Sequence, residues 1–300
     1  MFNRVAIIGL GLIGGSIGLA LHQVKGAREV AGYDLSKGIC DRARKTGAID
    51  QPYTALADAV RGAELIVLAT PVGAMRSLLQ DIAPHVSSGA VVTDVASTKA
   101  QVISWAEEFL PTTVSFVGGH PMTGKEVSGV EAADASLFRD RIYCLTPTAR
   151  TRPAAIHKVS SLIEMIGARV RFLEPAEHDG QVASVSHLPF IASIALVETV
   201  TNGPAWGDAA LLAANGFRDM SRLAAGNPEM YRDICLTNSE AITHWLDAYI
   251  ASLTQLRDRI SAHDKNLNDT FASVQQERLQ WQSSQNMPDE YSGPSHRKNG

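Results

Sequence analysis

Residues 4–21 read RVAIIGLGLIGGSIGLAL, and no other stretch restricts the possible folds of this chain so strongly. A short β-type run, RVAII, gives way to glycines at 9, 11 and 14 and then to a helical pattern. The spacing Gly-x-Gly-x-x-Gly is a weak signal by itself. Directly after a strand and opening a helix, it is the fingerprint of a dinucleotide-binding turn. Gly9 permits the tight turn, Gly11 lets the backbone approach a pyrophosphate, and Gly14 lets helix pack on strand. Leu12 and Ile13 bring free N–H groups and the positive end of the helix dipole to the same place. Asp34 follows the second strand-like run, EVAGY (29–33), twenty residues past Gly14. A carboxylate there accepts hydrogen bonds from a ribose diol and repels a 2′-phosphate, which favours NAD over NADP. Lys37, close by, keeps NADP open.

The alternation continues. ELIVLA (64–69), AVVTDV (90–95), VSFVGG (114–119) and RIYCLTP (141–147) read as strands, with helical patterns near 14–23, up to Arg44, 72–83 and 99–109. Strands alternating with helices imply βαβ units and a parallel sheet covered on both faces. After about Arg171 the strand signals stop. Residues 176–200, 206–225, 228–262 and 266–282 carry apolar residues at helical spacing, such as Leu246, Tyr249, Ile250, Leu253 and Leu256. The expected architecture is α/β: a Rossmann-type doubly wound parallel sheet over 1–171, then an all-α domain over 172–282. Helices with a second apolar face need a partner, so a homodimer through this domain is expected. Residues 283–300 read as a disordered tail.

Composition excludes other classes. With 45% hydrophobic and 19% charged residues the chain can bury a large core. Its formal net charge of −4, with both signs interspersed, argues against nucleic acid or an anionic membrane as partner. Three scattered cysteines without a CxxC make a disulfide framework or zinc site an unsuitable reading. No signal peptide is evident, and no stretch reaches the ~18 apolar residues of a membrane span. A soluble cytoplasmic protein acting on a small molecule, without a metal, is expected.

In open α/β sheets ligands sit outside the carboxyl ends of the strands. That places Thr70, Pro71 and Val72 beside the cofactor, along with Ser97 in DVASTK (94–99). Ser97 could equally cap the helix that follows. The stretch VGGHPMTGKEVSG (117–129) reads as a glycine-rich loop after a strand, projecting His120 toward the nicotinamide. An imidazole near neutral pKa can take a hydroxyl proton while a hydride leaves the same carbon. His187, in SVSHLPF, lies in an apolar helical segment that would also suit a structural histidine. Arg218 and Arg222 stand four apart, a repulsive spacing on one helical face unless an anion lies between them. Arg222 could pair with Asp219 or present a bidentate fork to a carboxylate.

These stretches together resemble the prephenate/arogenate dehydrogenase family of tyrosine biosynthesis. The matching segments are GLGLIGGS, DVASTK, GGHPMTGKEVSG (118–129), SHLP (186–189) and GFRDMSRLA (216–224), in family order. The resemblance implies that His120 is the catalytic base for the substrate's ring hydroxyl and that Ser97 supports it. It also implies that Arg222 binds a substrate carboxylate, that Glu126 lies near the site mouth, and that His187 faces the substrate. Phe190 stands where many members carry a second histidine. With GNPE at 226–229, this tilts the expectation toward arogenate over prephenate. Lys125 replaces a small polar residue and could contact a substrate carboxylate.

Three rivals are distinguishable. A 4-amino-4-deoxyprephenate dehydrogenase would suit Phe190 and Lys125. A 3-hydroxyacid dehydrogenase would need a lysine in the first long helix of the second domain, and none occurs between Lys158 and Lys265. A regulator that senses NAD without chemistry would need an effector module, and none follows the helices.

Overall fold

The computed structural model describes residues 1–125 and 127–285. Eight strands form one sheet in the order β3-β2-β1-β4-β5-β6-β7-β8. They are β1 (Phe2–Ile8), β2 (Ala27–Tyr33), β3 (Gln51–Pro52), β4 (Leu65–Leu68), β5 (Val91–Asp94), β6 (Ser115–Pro121), β7 (Ile142–Thr146) and β8 (Arg169–Phe172). β3 and β8 were not among the expected strands. All neighbours pair in parallel except β6 and β7, which are antiparallel. The sheet is thus doubly wound and Rossmann-type, with one reversed strand where a wholly parallel sheet is expected.

Burial explains the central strands. Val5, Ala6, Ile7 and Ile8 are all inaccessible, as in a parallel strand covered on both sides. Val5 and Ile7 join Ile17, Leu21, Leu65 and Val67 in one core layer. Ala6 and Ile8 join Ile66, Leu68, Met75 and Val92 in the other. Alternate residues of a strand face opposite sides, so a continuous apolar run feeds both layers.

The chain divides into two compact units, Met1–Trp245 and Leu246–Gly300, the division falling within the helix Ser239–Ser261. The first unit holds the sheet and the helices that follow it as far as Trp245. The second holds the rest of that helix and the helix Leu267–Gln285. Their connection is tied by Arg259, which donates to Asp264 (2.7 Å) and Thr270 (2.6 Å). Residues 283–285 of the expected tail belong to this last helix, and 286–300 lie outside the described residues.

The second half is helical, as expected, but its helices are broken. The expected 176–200 helix comprises Pro175–Val182, a π turn at Ala183–His187, and Leu188–Thr201. Residues 206–225 split into Trp206–Leu212, Asn215–Ser221 and a 3-10 turn Arg222–Ala225. Pro175–Thr201 is also long and apolar enough to span a membrane by composition alone, with a mean hydropathy of 1.5, which the sequence reading did not anticipate. Its buried His178, Asp179 and His187 are hydrogen-bonded inside the fold.

Candidate active site

The fingerprint turn has the geometry a dinucleotide needs. Gly9 adopts φ +93°, a left-handed conformation that side chains avoid. A Cβ on Gly14 would lie 2.0 Å from the carbonyl oxygen of Gly9, so only glycine lets the helix Leu12–Gln23 start this close to β1. A Cβ on Gly11 would meet nothing within 4 Å, leaving the backbone at Leu12 and Ile13 open to a phosphate. Asp34 Oδ2 accepts from Leu10 N–H and Oδ1 from Ser36 N–H, both at 3.0 Å. The carboxylate is thereby fixed beside the turn, in a cleft lined by Tyr33, Asp34, Lys37, Pro52 and Tyr53. Ala69 and Thr70 lie against Gly9 just past β4, followed by the exposed Pro71 and the buried Val72. The residues present fit a dinucleotide whose ribose diol is read by Asp34.

His120 is not on a loop. It sits in β6, paired in register with Cys144 of β7. The glycines before it serve packing rather than flexibility. A Cβ on Gly118 would lie 2.4 Å from Thr146 Oγ1, and one on Gly119 would lie 2.6 Å from the carbonyl oxygen of Asp94. Gly119 is also clamped by a buried ion pair. Its N–H donates to Asp94 Oδ1 (2.9 Å), and its carbonyl accepts from Lys99 Nζ (2.7 Å). Lys99 and Asp94 are ion-paired to each other, and both are inaccessible. Desolvation pushes the Lys99 ammonium down, against the pull of Asp94.

The ring of His120 is half-buried. Its Nδ1 lies 2.9 Å from Nε2 of His178, and its Nε2 has no hydrogen-bond partner among the described residues. Burial first, then the charges of His178, Lys99 and His187, hold its pKa well below the usual histidine value. It is therefore a neutral acceptor at pH 7. His178 Nδ1 lies 2.8 Å from Asp179 Oδ1. Asp179 in turn accepts from the N–H groups of Lys99 (2.8 Å) and Ala100 (2.9 Å), at the start of the helix Ala100–Phe109. Sequence reasoning missed both His178 and Asp179. The available signal was three polar residues, Glu177, His178 and Asp179 in EHDG, at the head of a run otherwise apolar enough to be core.

Ser97 is neither a helix cap nor a partner of His120. The helix begins at Ala100 with Lys99 at its N-cap, and the capping oxygens come from Asp179. The Ser97 hydroxyl makes no hydrogen bond among the described residues, and the residue is half-buried.

His187 is buried in the π turn. Asn238 Nδ2 donates to the main-chain oxygen of Asp179 (2.9 Å) and lies 3.3 Å from His187 Nδ1. An amide NH₂ only donates, so Nδ1 is the acceptor and the hydrogen of the neutral ring is on Nε2. That Nε2–H is buried without a partner among the described residues. Burial lowers the pKa of His187 to about 4. Phe190, one turn further, stacks on Tyr231 at 4.1 Å with the rings nearly parallel.

Arg222 lies close enough to Tyr231 for its charge to favour the phenolate, although burial of Tyr231 outweighs it and raises that pKa overall. Ser193 and Tyr231 accept from Ala224 N–H and donate to Leu223 C=O, respectively, which fixes the turn that carries the arginine. Arg218 lies within the helix Asn215–Ser221 while Arg222 opens the 3-10 turn that follows, so the two do not share one unbroken α-helix, and Arg218 Nη1 donates to Asn215 (3.3 Å). Lys125 also departs from expectation: its ammonium is held by Asp134 Oδ2 and the Ala132 carbonyl, each at 3.1 Å. Glu126 lies outside the described residues. The helix Pro228–Thr237 reaches the sheet side of the site, where Thr237 and Thr98 hydroxyls meet at 2.9 Å.

A glycine cradle at the carboxyl edge of a doubly wound sheet, with a neutral imidazole on another strand of that sheet, defines a nicotinamide-dependent oxidoreductase. The chain matches the family description "Prephenate dehydrogenase, nucleotide-binding domain" over residues 17–172, and "Prephenate dehydrogenase, dimerization domain" over 174–276. It belongs to the prephenate dehydrogenase family. It is 35% identical to the cyclohexadienyl dehydrogenase of Zymomonas mobilis over 282 residues, 93% of this chain and 96% of that protein. Its fold is similar to the crystal structure of prephenate dehydrogenase from A. aeolicus in complex with hydroxyphenyl propionate and NAD+. There the TM-score is 0.87 at 30% identity, covering 93% of this chain and 98% of the other. The crystal structure of Synechocystis arogenate dehydrogenase gives a TM-score of 0.80 at 32% identity, covering 93% and 99%.

Proposed function

We propose that this protein catalyses the oxidative decarboxylation of a cyclohexadienol, arogenate or prephenate, forming tyrosine or 4-hydroxyphenylpyruvate with NAD as hydride acceptor. The observation that carries the reading is His120: a neutral imidazole on β6 whose Nε2 has no partner among the described residues, held by a buried network at the carboxyl edge of the sheet. Bound NAD supplies the hydride acceptor. Gly9, Gly11, Leu12, Ile13, Gly14, Asp34, Thr70, Pro71 and Val72 would hold it.

His120 takes the proton of the C4 hydroxyl as the hydride leaves the same carbon, and loss of CO₂ makes the ring aromatic and the reaction irreversible. The protein's work is alignment and proton removal. Alignment is worth on the order of 7–11 kcal/mol at its limit, and a positioned base adds ~10²–10⁴-fold. Arg222 binds a substrate carboxylate, and His187 stands behind the substrate site. Ser97, whose hydroxyl has no partner among the described residues, donates to or accepts from the ring hydroxyl. Arg218, Lys125 and Glu126 are proposed at the periphery of the substrate's path, Lys125 through its exchange between Asp134 and an incoming carboxylate.

Phe190, buried and stacked on Tyr231, stands where many members of the family carry a second histidine, and together with GNPE at 226–229 it favours arogenate. The domains act as 1–171 for the cofactor and 172–282 for substrate and dimerisation. Within Leu246–Gly300, the exposed Ile250, Leu253, Ile260, Phe271, Val274 and Leu279 support a homodimer built on these helices, and the biosynthetic relatives favour a cytoplasmic location. Initial rates with arogenate and prephenate, each with NAD and NADP, test the reading. Faster turnover of arogenate with NAD is expected, and no reduced cofactor from either diene would end the proposal.

A further inference from the structure

His120 is backed by two further groups whose hydrogen-bond directions follow by elimination. A carboxylate only accepts. Nδ1 of His178, 2.8 Å from Asp179 Oδ1, therefore carries a hydrogen and donates it. A neutral imidazole with its hydrogen on Nδ1 has a bare Nε2. In the neutral state of His178 that nitrogen, 2.9 Å from His120 Nδ1, accepts, which puts the hydrogen of His120 on Nδ1 and its lone pair on Nε2. The lone pair is thus on the His120 nitrogen that has no partner among the described residues.

We infer that His178 and Asp179 form a proton relay behind His120, selecting the tautomer in which Nε2 is the base and receiving the proton that arrives there. The inference rests on the proposed role of His120 as base. The hydroxyl O–H bond breaks and an N–H bond forms at His120 Nε2. The hydrogen on His120 Nδ1 then passes to His178 Nε2. His120 returns to neutrality as the opposite tautomer, and the positive charge rests on His178 against Asp179. The relay moves protons only; the hydride goes to the nicotinamide.

The surroundings favour this destination. A cation on His120 faces burial and the nearby Lys99 ammonium. A cation on His178 has a carboxylate at 2.8 Å, itself immobilised by the N–H groups of Lys99 and Ala100. His178 is fully inaccessible, so the proton is delivered where water does not compete. The arrangement follows the logic of a carboxylate that orients an imidazole base. Here a second imidazole stands between the two, which lets the charge move away from the reacting carbon. His178 is a positioning residue, since it touches neither substrate nor cofactor.

The unaltered protein gives the first test. ¹⁵N NMR of the histidine-labelled enzyme should show both His120 and His178 protonated at Nδ1 and bare at Nε2; a hydrogen on His120 Nε2 overturns the relay. The second test is His178→Gln, whose amide oxygen can accept from His120 Nδ1 but cannot take a proton. Its kcat should fall on the order of 10²-fold with both KM values near wild type. The dependence of kcat on deuterium fraction should change from bowed to linear as one moving proton is lost. Wild-type kcat and a bowed inventory in this variant overturn the relay. His120→Asn separates the two claims. If it turns over normally, the base assignment fails and the relay with it. If it is inactive while His178→Gln is normal, only the relay fails. Should His178→Gln not fold, the tautomer measurement decides alone.

Discussion

Asp179 Oδ1 accepts a hydrogen bond from the backbone N–H of Lys99 at 2.8 Å, across 80 residues of chain. One carboxylate from the helix Pro175–Val182 thus closes the N-terminus of the helix Ala100–Phe109 and also holds His178. The helical half of the chain is thereby bonded into the end of the sheet where His120 stands.

Replacing Asp179 with Ala removes a helix cap and leaves His178 Nδ1–H buried without an acceptor. A lost cap costs about 0.5–2 kcal/mol, and a stranded buried donor about 1–3 kcal/mol. The variant should be less stable by about 2–4 kcal/mol, read as a lower urea midpoint with unchanged slope.

Lys99→Met leaves Asp94 inaccessible and without its cation, though still accepting from Gly119 and Ala96 N–H. Breaking a buried pair by removing one partner costs about 3–5 kcal/mol. Thermal unfolding should show the loss, and kcat should fall as well, because the Gly119 carbonyl next to His120 loses its donor.

The pH profile of kcat/KM should be flat through neutrality and into the mildly acid range. A base works when unprotonated, and His120 is held well below the usual histidine pKa of 6.5 by burial and neighbouring charges. Activity is therefore present above that depressed pKa and lost as pH falls through it. An acid limb centred at or above pH 6.5 would contradict the assignment.

Arg222→Ala should raise KM for the diene with little effect on cofactor affinity. A charge-assisted hydrogen bond contributes about 1.5–3 kcal/mol, or roughly 10–100-fold in KM. Steady-state kinetics with saturating NAD, alongside NAD titration by fluorescence, separate the two constants.

Gly14→Ala should abolish tight NAD binding, because the new Cβ would lie 2.0 Å from the Gly9 carbonyl oxygen and must displace the turn itself. Calorimetric titration with NAD measures it; wild-type affinity would mean that the cofactor is held elsewhere.

The dinucleotide turn was legible because its chemistry is local. Gly9, Gly14 and Asp34 are close in sequence, and the constraint on each comes from the backbone beside it. The strand that bears His120 was not legible. Two glycines, a histidine and a proline read as a loop, since their small side chains suggest freedom; in the fold they are small because Asp94 and Thr146 press against them. Arg218 and Arg222 misled for a related reason: a four-residue spacing assumes an unbroken helix, and the backbone changes to a 3-10 turn between them.

From residue order alone came the alternation of strands and helices, the cofactor turn, the helical second half, and His120 and Arg222 as candidates. These rest on periodicity and on contacts between near neighbours. Only tertiary structure decided what stands behind His120. His178 lies 58 positions away and was just one polar residue in an apolar run. A hydrogen bond between distant side chains leaves no periodic mark on the sequence, because it depends on how two elements pack and not on how either one forms.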